Sequence, residues 1–293
     1  AVFYCVITFL SVKNHLILSL ILSALLLAAR IFLCVRTNRK SIKKLVFTAR
    51  IKRLFITAIL ILGLLLIVWI FSPLSFAGRI CRTLCVMISV ISPILTVIIW
   101  AITYPIEKAV GAWYINNAKH ILGEHKNLTV IGITGSYGKT TTKFILNRIL
   151  SEKYNTVCTP QSFNTPMGVV RTIRSGLKPQ TQMFICEMGA KKIGDIKEIC
   201  DIVNPDCAII TSVGEQHLDT FKSVDNVFKT KFELADAVSK KGGITLANID
   251  STGINARADM RTDVVYFGKG TKYSAKNIVC DESGTTFDLS LDG

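Results

Sequence analysis

Acid is almost absent from the first 127 residues. Glu107 and Glu124 stand against 15 lysines and arginines there, a net of +13, whereas the remainder carries 20 basic and 18 acidic residues, a net of +2. A whole-chain pI near 9.5 would suggest nucleic acid, but the excess belongs to one region rich in apolar runs. It therefore argues against a nucleic-acid partner and for a membrane surface. Also missing is any cysteine pair at two-residue spacing. The nine cysteines, at 5, 34, 81, 85, 158, 186, 200, 207 and 280, offer neither a zinc knuckle nor a redox dithiol. Several lie in apolar stretches and read as small buried hydrophobes of a reducing compartment. The chain opens on Ala1 rather than Met and stops just after an apparent strand, so a fragment at both ends is expected.

What is present in the first part is long and apolar. Residues 1–11 read as the tail of a truncated segment, followed by runs at His15 to Val35, Leu54 to Phe71, and Leu84 to Ile106 with Pro93 and Pro105 inside it. The three complete runs have about the length needed to cross a hydrocarbon core as helices. Arg36 to Arg53 holds 8 basic residues and no acid, which predicts a cytoplasmic loop by the positive-inside tendency. Ser72 to Arg82 carries only Arg79 and Arg82 and is expected to face out. These readings predict a multi-pass plasma-membrane region over residues 1–106, an amphipathic connector over 107–127, and a cytoplasmic nucleotide-binding domain over 128–293, in contact with membrane lipid.

From Leu128 the texture changes. Short apolar runs at 128–134, 156–159, 182–187, 207–213, 243–248 and 264–267 alternate with helical patterns at 139–152, 167–175, 193–203 and 224–239. This alternation predicts an α/β fold with a parallel sheet covered by helices. After Ala256 the pattern decays, and Gly284 to Leu291 reads as a small edge hairpin or strand. The first strand runs into VIGITGSYGKTTTK, Val130 to Lys143. A strand, a glycine turn and a helix start together make an anion cradle, with free backbone N–H groups and the helix dipole aimed at the anion. Gly135, Ser136, Tyr137, Gly138, Lys139, Thr140 and Thr141 form the candidate nucleotide-binding set. Lys139 is expected to reach the terminal phosphates and the Thr140 hydroxyl to take a Mg²⁺ position. The usual phosphate-loop pattern has a further glycine where this chain has Ile133, so the motif is a shortened one.

Ligands of parallel sheets lie at the carboxyl ends of the strands, and those ends carry a coherent set here. The loop after Thr159 presents Asn164 and Thr165. MFICE ends on Glu187, a carboxylate placed to hold Mg²⁺ directly or through water. AIITSV is followed by GEQHLD, with His217 as a second metal candidate. A capping role for Glu187 and a surface role for His217 are the bland alternatives, and finding both at successive strand ends favours a site.

TGSYGKTTTK, SFNTPMG, EMGAKKIGDI and VGEQHLDTF together resemble the central ATPase domain of the Mur ligase family over roughly Leu128 to Gly293. EMGA…GDI is most similar to the family's UDP-N-acetylmuramoyl-tripeptide–D-alanyl-D-alanine ligases. His217 and Lys231 lie fourteen residues apart, and the resemblance implies a metal-binding histidine and a carbamylated lysine there. Lys229 is the rival lysine. Asn248 and Asp250 in LANID resemble the family's nucleotide-contacting Asn-x-Asp segment. The resemblance thus implies ATP and Mg²⁺, with Lys139, Asn164, Glu187, His217 and Lys231 as catalytic residues and Thr140, Glu187, His217 and the Lys231 carbamate around the metal. It implies a ligase that activates a carboxylate as an acyl phosphate for attack by an amine, using charge neutralisation above all. The acceptor would be a UDP- or lipid-linked muramyl peptide and the amine an amino acid or dipeptide such as D-alanyl-D-alanine, within peptidoglycan synthesis. Two features depart from the family: apolar helices occupy the place of its UDP-binding first domain, and its carboxy-terminal domain is expected to be missing after Gly293. A membrane-bound polyglutamate-type ligase is one alternative, against which EMGA…GDI argues. A nucleotide-gated membrane ATPase is another, and the absence of a strand ending in hydrophobic–Asp argues against that.

Overall fold

A computed structural model of the chain describes residues 48–71, 78, 80, 92–216, 218–282 and 284–291. The first two apolar runs, most of the basic loop, nearly all of 72–91 and His217 lie outside the described residues. The chain divides into two units, Ala1–Val110 and Gly111–Gly293.

Ala49–Phe71 forms helix α1 in the first unit, and Ser92–Glu124 forms one helix, α2, which starts in the first unit, has Pro105 inside it and ends in the second. The run expected to end at Ile106 therefore does not end there. It continues through Glu107, Lys108, Lys119 and Glu124 without a break. Arg53 Nε donates to Glu107 Oε1 at 2.6 Å. No helix among the described residues is long and apolar enough to cross a membrane. The multi-pass membrane placement expected from hydropathy is corrected accordingly, and with it the transmembrane part of the fold class.

The second unit is built on a six-stranded sheet. Its strands are β1 Thr129–Thr134, β2 Thr156–Cys158, β3 Met183–Glu187, β4 Cys207–Ile210, β5 Ile244–Asn248 and β6 Val265–Phe267, in the spatial order β2-β3-β1-β4-β5-β6. Every pairing is parallel. Its helices are α3 Lys139–Leu150, α4 Pro166–Gly176, α5 Asp195–Val203, α6 Leu218–Phe221, α7 Val224–Ser239 and α8 Thr252–Asn255. The parallel α/β architecture expected from the alternating pattern is present, with helix bounds shifted by a residue or two. From β1 the chain moves outward one way to β2, and from β4 it moves the other way to β5. Right-handed crossovers place α3 and α7 on opposite faces of the sheet for that reason.

Local chemistry explains where the helices start. Thr165 caps α4, its hydroxyl accepting from Gly168 N, with Pro166 at the first helical position. There a missing N–H costs nothing and the fixed φ is already helical. Ser223 caps α7 in the same way through Asn226 N. The α7 face toward the sheet carries Val227, Phe228, Thr230, Lys231, Leu234, Ala235 and Val238, all buried. It approaches closely because β1 has Gly132 beneath it. A Cβ there would lie 2.6 Å from Leu234 Cδ1. Phe184, Ile185, Ile196, Ile199, Ala208, Ile210 and Phe232 complete the core.

The strand expected over Gly284 to Leu291 is present, but it does not lie at the edge of the main sheet. Gly284–Ser290 is strand β8, and it pairs antiparallel with β7, Ser274–Asp281, in a separate two-stranded sheet.

Candidate active site

The switch in strand order puts β1 between β3 and β4, so the loop leaving β1 is flanked by both of their carboxyl ends. Gly135 makes that turn at φ 152. A Cβ on it would lie 2.0 Å from Thr211 Oγ1 and 2.9 Å from Ser212 N, so no side chain fits. Gly138 then enters α3 at φ 80, the left-handed region, and supplies no side-chain cap. The first N–H groups of a twelve-residue helix are thus left to a ligand, which is the physical requirement for holding phosphate.

The β4 end braces the loop. Ser136 N donates to Ser212 O at 2.8 Å, Tyr137 N to Ser212 Oγ at 2.8 Å, and Thr211 Oγ1 to Tyr137 O at 2.6 Å. Lys139 folds back over the turn, its ammonium donating to Gly135 O at 2.6 Å and Ser136 O at 3.2 Å. Burial pushes the Lys139 pKa below the ordinary lysine range, while the Glu187 charge pulls it the other way.

Glu187 is the hub. Register puts it beside Ile133 of β1, and it is 1% exposed. Its Oε2 accepts from Thr140 Oγ1 at 3.0 Å and from Lys143 Nζ at 2.9 Å. Its Oε1 accepts from Asn164 Nδ2 at 3.0 Å. Asn164 is held in turn by Gly189, whose N–H donates to Asn164 O at 2.8 Å. A Cβ at 189 would lie 2.7 Å from Asn164 Cγ, which is the physical reason a glycine follows Glu187-Met188. Three of the expected site residues, Thr140, Asn164 and Glu187, therefore meet in one network, and Glu187 is no helix cap.

Lys143 belongs to that network and was not among the expected residues. It is fully buried and also donates to the backbone oxygen of Gln161, at the start of the Asn164 loop. Its signal was its spacing. It lies four residues after Lys139 on one helix, hence on the same face.

Lys231 and Lys229 are separated by the helix. Residues two apart point to different sides, and Lys231 is 2% exposed whereas Lys229 is exposed. Burial lowers the Lys231 pKa to about 8, with the Lys139 charge adding to the effect and Asp195 and Glu233 opposing it. Asp195 and Glu233 were missed as well. Glu233 accepts from Gly194 N and Lys197 N at 2.8 Å each, closing the start of α5. Asp195 Oδ2 accepts from Lys191 N at 2.8 Å. Together they shape the segment after EMGA and bring two carboxylates toward Lys231.

Asn248 and Asp250 lie at the carboxyl end of β5, and their recorded bonds are those of a turn. Asn248 Oδ1 accepts from Asp250 N at 3.0 Å, and Asp250 Oδ1 from Lys269 N at 2.9 Å. Among the described residues no group of three or more His, Cys, Asp or Glu side chains clusters as a metal site, and His217 is outside them. A groove of about 420 Å³ lies along α4, lined by Tyr114, Met167, Val170, Arg171, Arg174 and Ser175. It contains none of the phosphate-loop residues.

The Mur ligase middle domain pattern matches residues 133–293, over half of the chain, including the phosphate loop and the Glu187 network. The chain belongs to the Mur ligase family. Among its relatives, UDP-N-acetylmuramoyl-tripeptide–D-alanyl-D-alanine ligase of Bacillus subtilis is 29% identical over 55% of this chain and 35% of its own length. The enzyme of that name from Mycobacterium leprae is 37% identical over 45% of this chain and 25% of its own. MurF ligase of Thermotoga maritima, solved in complex with ADP, superposes with a TM-score of 0.57 and 30% identity, over 62% of this chain and 42% of its own. MurF from Acinetobacter baumannii gives 0.54 and 26%, over 61% and 42%. The chain thus spans about a third of the Bacillus subtilis relative and less than half of these solved Mur ligases.

Proposed function

We propose that this domain is the ATP-using part of an amide-forming ligase of peptidoglycan precursor synthesis. In this reading it activates the terminal carboxylate of a muramyl tripeptide for attack by D-alanyl-D-alanine. The relatives named above carry that activity in their names. The observation that supports it most is the convergence of Thr140, Lys143 and Asn164 on one buried carboxylate, Glu187, beside an uncapped helix start.

The residues present suit the chemistry. The open N–H groups of α3 bind the nucleotide phosphates, and Lys139 neutralises charge on the terminal one. The donor set of a hydroxyl and a carboxylate, Thr140 and Glu187, is the oxygen chemistry that Mg²⁺ prefers, and Mg²⁺ bound there would neutralise phosphate charge. The substrate carboxylate takes the γ-phosphoryl group of ATP, releasing ADP. The amine nitrogen then attacks the acyl carbon, the C–O bond to phosphate breaks with its electron pair on phosphate, and the nitrogen loses a proton. Thr140 and Asn164 orient Glu187 throughout.

Lys231 fits a carbamate. Forming one requires a neutral amine, which attacks CO₂ and releases a proton. With a pKa of about 8, about a quarter of the amine is neutral near pH 7.5, against roughly one part in a thousand for an unperturbed lysine. His217 remains the candidate metal-binding histidine, and Asn248 and Asp250 the candidate contacts to the base or ribose.

The test is product formation. Release of ADP and phosphate should require both UDP-muramoyl-tripeptide and D-alanyl-D-alanine, with the amide product detected by mass. ATP hydrolysis indifferent to both would refute the ligase reading. Lys231→Ala should lose activity and regain part of it with added short carboxylic acids. Full activity without them removes the carbamate from the scheme.

A further inference from the structure

Both oxygens of Glu187 accept from protein donors. Three donors from two segments, the first turns of α3 and the Asn164 loop, reach its two oxygens, at 2.9 to 3.0 Å, and only one of them, Lys143, carries charge. A carboxylate buried to this degree without a countercharge is strongly disfavoured. Thr140 and Asn164 are neutral and cannot supply one. Lys139 spends its recorded bonds on the loop carbonyls. The Lys139 charge still reaches Glu187, but the direct ion pair, and with it the larger share of the countercharge, falls on Lys143. Its second bond, to the Gln161 backbone, ties the same ammonium to the loop bearing Asn164.

We propose that Lys143 is a resident countercharge for Glu187: it takes the electrostatic place of a divalent cation when the site is empty and limits how tightly such a cation binds when the site fills. The inference rests on the reading of Glu187 as a cation ligand. Lys143 is a positioning residue in this scheme, acting through Glu187 and the Gln161 carbonyl rather than on substrate. Two consequences follow. Removing the ammonium leaves Glu187 buried and uncompensated, so the empty protein loses stability. The vacated charge makes the site a better host for Mg²⁺, so the metal restores what the substitution removed.

Melting of the full chain tests this without reference to turnover. In the absence of metal and nucleotide, Lys143→Met should melt roughly 10 °C below the parent. Millimolar Mg²⁺ should return at least half of that loss while moving the parent much less. The double variant Lys143→Met/Glu187→Gln removes both charges and should recover stability without Mg²⁺ and lose the response to it. A Lys143→Met protein that melts with the parent, or whose Mg²⁺ shift equals the parent's, overturns the proposal. Should Lys143→Met fail to fold, the double variant decides. Recovery supports the countercharge, and failure to recover overturns it, since Lys143 would then act through packing or Gln161 alone. The ligand reading of Glu187 is checked separately. With ADP present, Glu187→Gln should lose the Mg²⁺-dependent part of the stabilisation seen in the parent. Retention refutes that reading whatever Lys143→Met does.

Discussion

The two flanks of the sheet bury one lysine each and handle it in different ways. On the β2-β3-β1 side, Lys143 of α3 ends 2.9 Å from a carboxylate and bonds a backbone carbonyl. On the β4-β5-β6 side, Lys231 of α7 has its carboxylates, Asp195 and Glu233, committed by recorded bonds to the backbone at the start of α5, and burial takes its pKa down to about 8. The two are nearly equally buried, so depth does not separate them. The difference lies in what neighbours them. A direct ion partner makes a lysine an electrostatic part, whereas desolvation beside another cation makes it a nucleophile in waiting.

The contrast breaks most visibly at the loop between the flanks. Lys139→Ala removes the charge that we propose neutralises the terminal phosphate. Acceptor-dependent ADP release should fall at least about 100-fold, measured under saturating ATP. A loss under about tenfold would mean that the flanks, rather than the loop, carry the phosphate. Gly135→Ala comes next, since its Cβ would clash with Thr211 and Ser212 of the opposite flank. It should cost about 3 kcal/mol in urea unfolding, whereas Gly138→Ala, with only an ordinary contact to Thr211 Cβ at 3.9 Å and its left-handed φ to offend, should cost about 1–2 kcal/mol. Equal costs would mean that the loop is not wedged between the strand ends.

Lys231→Met sharpens the comparison through pH. The folded pKa lies below the unfolded one, so the unfolded chain binds the proton more tightly. The penalty is present in full below about pH 8 and fades as pH rises toward the ordinary lysine value. Parent stability should thus climb across that window in CO₂-free buffer. The variant should lack the slope and gain on the order of 2–3 kcal/mol at neutral pH. A parent with no slope there would place Lys231 in a wetter setting than its burial implies. The smallest effects are the paired caps. Thr165→Ala on one flank and Ser223→Ala on the other should each cost about 1 kcal/mol, read by chemical denaturation. Unequal values would show which flank depends more on its helix start.

Much of this was legible in the chain. The strand expected at 182–187 is Met183–Glu187, and the helix expected at 224–239 is Val224–Ser239, because apolar periodicity is a local property. β7 was not legible. Lys276 and Asn277 interrupt its alternation, and the ladder shifts register between Lys276 and Val279. The helix expected to stop at Ile106 runs to Glu124 because Pro105 is accommodated within it. Over Ser92–Glu124 hydropathy overstated the apolar run, since apolar length alone omits the charges that follow within the same helix.

By itself the sequence determined the alternating elements, the glycines that shape the phosphate turn and the strand end on which Glu187 stands. Each of these follows from steric and periodic rules acting over a few residues. Only the tertiary structure decided that Lys143 meets Glu187 across 44 positions of chain, that Gly189 fixes Asn164, and that Lys231 lies near carboxylates from α5 and α7. Those contacts depend on which strands become neighbours, and strand order is set by the packing of the whole sheet.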